Sequence, residues 1–162
     1  MEIIKQLDYY IQILGEVEEL PLDIYLYGVV SSEMPVNFEF EALKAQAIVA
    51  RTYTIYQMMN NTKHQEVGAD ICDSSLCCQA WMTQENRMAR WEEKDREANW
   101  IKIENSVNST IGKVILYHGE PIKAFFHSNS GRNDGKFAEC LGRRVSLFTS
   151  SSNKWRRSIY IL

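Results

Sequence analysis

Glu33 stands between an apolar run, IYLYGVV at 24–30, and the pair Met34 and Pro35. A carboxyl at such a boundary suits general acid catalysis, because partial desolvation raises its pKa towards working pH. Two cations follow at Lys44 and Arg51. Their spacing puts them on one side of a helix, about two turns apart. If that side lines a cleft, Arg51 can hold Glu33 or a sugar hydroxyl. The plainer alternative is a solvated Lys and Arg on an ordinary helix.

A second set is Cys72, Cys77 and Cys78, with His64 upstream. Zinc takes four thiolate or imidazole ligands in a tetrahedron, and these residues could supply a closed, structural Cys3His site. Adjacent cysteines point in divergent directions, so using both Cys77 and Cys78 requires an irregular backbone. The alternative is that one or two are buried apolar thiols. A third set, His127, Ser128 and Ser130, precedes Gly131. Neighbours on an extended segment face opposite ways, so His127 and Ser128 are no ready nucleophile pair. They suit hydrogen bonding to a polar ligand, or a structural histidine. Neither a Gly-rich phosphate loop nor a dinucleotide fingerprint occurs.

The elements that must position these groups belong to a chain of 162 residues, 45% hydrophobic and 24% charged. That predicts one compact α+β domain with a central packed helix and a small antiparallel sheet or hairpin. A net charge of -3 and no basic stripe ahead of the tail argue against nucleic acid; a sugar or peptide ligand fits better. The start has no export-signal pattern, and no run nears the roughly 20 apolar residues of a spanning helix. Taken as complete, the chain reads as cytoplasmic; otherwise it is part of a longer exported product.

Helix formers over 41–59, with Leu43, Ala47, Ala50 and Thr54 near one face, predict the main helix. Pro21 predicts a helix start leading through 20–30 and presenting Glu33 at its end. Residues 2–14 fit a short helix or a strand equally, and 63–70 read as a loop turning at Gly68. Spaced apolar residues among charges over 84–108 predict one or two amphipathic helices. A His118-Gly119 turn predicts a β-hairpin over 114–126. From 132 onward the chain is basic and aperiodic, and no fold is assigned to it.

Four stretches together resemble a known family, the SpoIID/LytB domain: LPLDIYLYGVVSSEMP at 20–35, EALKAQAIVARTY at 41–53, ICDSSLCCQ at 71–79 and GEPIKAFFHSNSG at 119–131. The resemblance implies a peptidoglycan lytic transglycosylase that cuts peptide-stripped glycan strands during spore engulfment. It would work between the mother-cell and forespore membranes, beside other wall hydrolases. Glu33 matches the family's catalytic acid. Lys44 and Arg51 match its basic helix positions, and His127, Ser128 and Ser130 its cleft segment. The cysteine run matches a region where some members resemble a Cys/His zinc site, often with His before the last Cys; here Cys77 takes that place.

The family usually continues with a second glycine and a Thr-Glu segment, whereas Arg132 follows Gly131 here. Residues 1–131 therefore read as the front part of the domain, and 132–162 as a tail from a frame change or truncation. On that reading the cleft is incomplete. Two rivals to the enzyme follow, a non-catalytic wall-binding or amidase-enhancing module and an inactive zinc-stabilised scaffold.

Overall fold

Prolines bracket the first helix of the computed structural model, which describes residues 16–60 and 64–126 in full, and 8–13 and 160–161 as backbone. Helix α1 spans Leu22–Glu33, with Pro21 at its N-cap and Asp23 in its first turn. The missing proline N–H costs nothing there, because the opening N–H groups of a helix have no intrahelical acceptor. Asp23 complements the positive end of the helix dipole. At the other end Pro35 disfavours helical backbone at the preceding residue. Met34 accordingly turns to an extended conformation, φ -130 and ψ 133, which leaves Glu33 as the last residue of α1.

Helix α2, Phe40–Asn60, is buried on several sides, with Leu43, Ala47, Ala50, Tyr53 and Thr54 all enclosed. It crosses α1 and α4, Arg96–Asn108, around a core of Leu26, Val29, Val30, Ile103 and Val107. Each such aliphatic side chain, fully buried, stabilises the fold by roughly 1.5–3 kcal/mol. Lys102 of α4 donates to the carbonyls of Val36 and Phe38 at 2.8 and 2.7 Å. That holds the bend between α1 and α2, directly after Glu33. Between these helices lies the short α3, Gln84–Met88, whose N-cap Thr83 accepts a hydrogen bond from the Asn86 N–H at 3.2 Å.

Strand β1, Asp8–Ile13, settles the segment that fitted helix or strand equally. It pairs antiparallel with β2, Glu16–Pro21, and parallel with β3, Ile71–Cys72, in the register Gln12↔Cys72. Its long partner is β2, the next element along the chain, and β3 joins from some sixty residues away; pairing with both decides its state, which the periodicity of 8–13 alone does not reveal. Strand β4, Ile115–Tyr117, turns through His118 and Gly119, φ 52 and 84, into β5, Glu120–Pro121. Positive φ at both central residues is the type I′ geometry that matches strand twist. Residues 122–126 leave the ladder after Ile122 donates to the Ile115 carbonyl. Strand β6, Tyr160–Ile161, pairs antiparallel with β4; residues 127–159 lie outside the described residues. The architecture is α+β, as composition and pattern predict. Among the described residues no helix is long and apolar enough to cross a membrane.

Candidate functional site

Glu33 lines a cavity of about 300 Å³ with Tyr53 of α2, Cys77, Cys78, Gln79 and Phe125. Its Oε1 accepts a hydrogen bond from the Ala80 backbone N–H at 2.6 Å. That short contact sets the direction of the carboxyl group. Tyr53 is nearly buried, and its hydroxyl accepts from Gln57 Nε2 at 2.9 Å. Burial first, and the nearby sulfurs after it, hold its phenol well above the ordinary pKa, so Tyr53 stays neutral. Gln79 closes the inner wall, its Nε2 donating to Thr54 Oγ1 at 3.0 Å and Tyr25 OH at 3.4 Å.

The wall facing Glu33 is the turn at 73–78. Ser74 organises it, its carbonyl accepting from the Cys77 and Cys78 N–H groups at 3.1 and 2.7 Å. This is the irregular backbone that adjacent ligands require, and it turns both sulfurs towards one point. The ligating atoms of His64, Cys72, Cys77 and Cys78 lie within 4.8 Å of one another. Cys78 Sγ is 3.4 Å and Cys77 Sγ 3.6 Å from His64 Nε2, and the two sulfurs are 3.9 Å apart. A tetrahedral ion with metal–sulfur bonds near 2.3 Å and metal–nitrogen bonds near 2.0 Å needs about 3.8 Å between sulfurs and about 3.5 Å from sulfur to nitrogen. The donor set therefore fits a metal ion. Burial pushes the Cys78 thiol up to about 12 and raises Cys72 as well. A bound cation reverses that preference, because a coordinating thiol is deprotonated outright.

The two basic residues of α2 go elsewhere. Arg51 is 1% exposed. Its Nη1 donates to the Thr110 carbonyl at 2.7 Å and the Lys113 carbonyl at 3.4 Å, and its Nη2 to Val107 O at 3.4 Å and Asp23 Oδ1 at 3.2 Å. The guanidinium thus braces the end of α4 against the start of α1, and it does not line the Glu33 cavity. Lys44 pairs with Glu41 at 2.8 Å on the surface and lies 5.8 Å from the centre of the Phe40 ring. His127, Ser128 and Ser130 lie outside the described residues. Sequence reasoning missed Tyr53, Gln79 and the Ala80 N–H. Gln79 had a signal, since it directly follows Cys78; a backbone donor has none.

Residues 10–117 match the SpoIID family, described as Stage II sporulation protein. The chain is 40% identical to the Stage II sporulation protein D of Bacillus amyloliquefaciens over 114 residues, 70% of this chain and 33% of that protein. It is 38% identical to the Stage II sporulation protein D of Bacillus subtilis (strain 168) over the same shares. The Amidase enhancer of Bacillus subtilis (strain 168) is 31% identical over 106 residues, 65% of this chain and 12% of that protein. The chain spans about a third of the length of the two sporulation proteins it matches. The matched span takes in β2, α1, α2, the cysteine turn and α4, all the elements that seat Glu33 and the Cys/His cluster, and the chain belongs to the SpoIID family.

Proposed function

We propose that this chain carries the acid-bearing part of a peptidoglycan lytic transglycosylase acting in sporulation, outside the cytoplasm, on glycan strands stripped of stem peptides. The observation that carries it is Glu33, set at the end of α1 in a cavity and aimed by the Ala80 N–H. Protonated, Glu33 donates to the glycosidic oxygen as the bond to the muramic sugar breaks through an oxocarbenium-like state. As carboxylate it then takes the proton of that sugar's own C6 hydroxyl, whose oxygen attacks the anomeric carbon and closes a 1,6-anhydro ring. The substrate supplies the nucleophile, so one carboxyl suffices. General acid–base work contributes about 10²- to 10⁴-fold. Binding must provide the rest, and His127, Ser128 and Ser130 are proposed contacts for it.

Zinc is the proposed ion for His64, Cys72, Cys77 and Cys78. The donor set, three sulfurs and one imidazole, is the kind found in closed structural sites. Its contribution would be to hold the turn that carries Ala80 towards Glu33, with no part in the bond-breaking step. Arg51 is proposed as a brace for the helices instead of a substrate ligand. A second reading, a wall-binding or amidase-enhancing module, is favoured by the similarity to the Amidase enhancer.

The two readings separate on peptide-free glycan strands incubated with the chain and with Glu33→Gln. Anhydro-muramic ends detected by mass spectrometry with the parent alone support the transglycosylase. Equal products from both proteins remove Glu33 as the acid. Strand binding without products favours the module.

A further inference from the structure

Leu76 is 99% exposed, at the tip of the turn that carries the cysteines. Its own N–H donates to Ser74 Oγ at 3.3 Å, and the next two N–H groups go to the Ser74 carbonyl. The backbone on both sides of Leu76 is therefore tied down while its side chain stands in water. A lone exposed leucine is ordinary on a protein surface. This one differs because it lines the cavity that holds Glu33, together with Phe125 and Phe126. A polymer whose scissile bond sits at Glu33 has to continue past that rim. N-acetylated sugars present apolar C–H faces and an acetamido methyl, and an isobutyl group covered by them loses contact with water, which favours binding.

We infer that Leu76 is a binding contact for the sugar next to the scissile bond, gripping an N-acetyl hexose unit of the strand by apolar contact. This rests on the glycan reading of the Glu33 cavity. Such a contact acts on ground state and transition state alike, so its loss raises KM and leaves kcat in place. The tied backbone matters because the point from which the side chain projects is set before substrate arrives, which reduces the ordering cost of binding.

The test uses Leu76→Ser and Leu76→Phe, each also combined with Glu33→Gln, with a tetramer of N-acetylglucosamine as the calorimetric probe and peptide-free glycan strands as substrate. Leu76→Ser is expected to weaken probe binding and raise KM for strands roughly tenfold, with kcat, melting temperature and bound metal unchanged. Leu76→Phe is expected to retain binding or tighten it. Equal probe affinity for Leu76→Ser and its parent overturns the inference, as does a parent that fails to bind the probe. A loss of binding that comes with a lower melting temperature or lost metal also overturns it, marking Leu76 as structural. Weaker binding by Leu76→Ser in a chain that releases no anhydro ends sinks the cleavage reading and leaves the contact standing.

Discussion

Between α1, α2 and α4 the contact surface is made of side chains such as Leu26, Val30, Leu43, Ala47 and Ile103, all fully buried. The turn at 73–78, which forms another wall of the Glu33 cavity, has little such surface, with Cys78 alone packed against the core. Leu76 faces water, Cys77 and Cys78 are only partly enclosed, and the backbone is held by Ser74. The helices are thus stable through removal of apolar area from water, whereas the turn depends on polar groups that converge. The comparison teaches that the two walls of one cavity can fail separately. A disturbance of the turn can unseat the Ala80 N–H while α1 keeps Glu33 at its end.

The largest expected effect comes from Arg51→Ala. It leaves the carbonyls of Val107, Thr110 and Lys113 without a charged donor and should cost at least about 3 kcal/mol. Urea unfolding measures this, and a loss below about 1 kcal/mol would show that the brace adds little to helix packing. Next is the metal. Zinc at a hundredfold its Kd should stabilise the chain by about 2.7 kcal/mol. Removing it by chelation, or by Cys72→Ser, should lower the melting temperature and expose the 73–78 backbone to hydrogen exchange ahead of α2. Uniform exchange throughout would contradict the separation of the two walls.

Gly28→Ala probes the seam between the walls. A Cβ there would lie 2.6 Å from Trp81 Cδ1 and 2.7 Å from the Met82 carbonyl, so the 81–82 segment would have to move off α1. Overpacking of this kind costs about 1–3 kcal/mol, and calorimetry would register it. The smallest effect is Lys44→Ala, which removes a surface pair with Glu41 and should change stability by no more than about 0.5 kcal/mol. Loss of strand cleavage at unchanged stability would mean that Lys44 meets substrate; retained cleavage would confine it to its surface pair.

Much of the scaffold was legible in the chain. Pro21 announces the start of α1, which runs three residues past Val30 to Glu33, and the helix formers at 41–59 announce α2 to within a residue at each end. The convergence of His64 with three cysteines was legible from donor chemistry, and the need for a bent backbone followed from two adjacent ligands. Arg51 was harder, because a charged residue on a long helix ordinarily faces water. Its neighbours held a clue: it lies one turn beyond Ala47 and next to Ala50, both fully buried. The strand state of 8–13 depends on pairing with Glu16–Pro21 and with Ile71–Cys72, and the periodicity of 8–13 by itself carries no trace of either partner. The same holds for the Ala80 contact, which only the folded path creates.

That contact has a bearing on how such a site can change over time. The group that aims Glu33 belongs to the main chain, so replacing the Ala80 side chain leaves the donor where it is. Proline is the exception, since it lacks the N–H. The orientation of the acid is therefore inherited from the route of the chain and is indifferent to the lettering at position 80. Neighbouring side chains can drift while the carboxyl continues to point the same way.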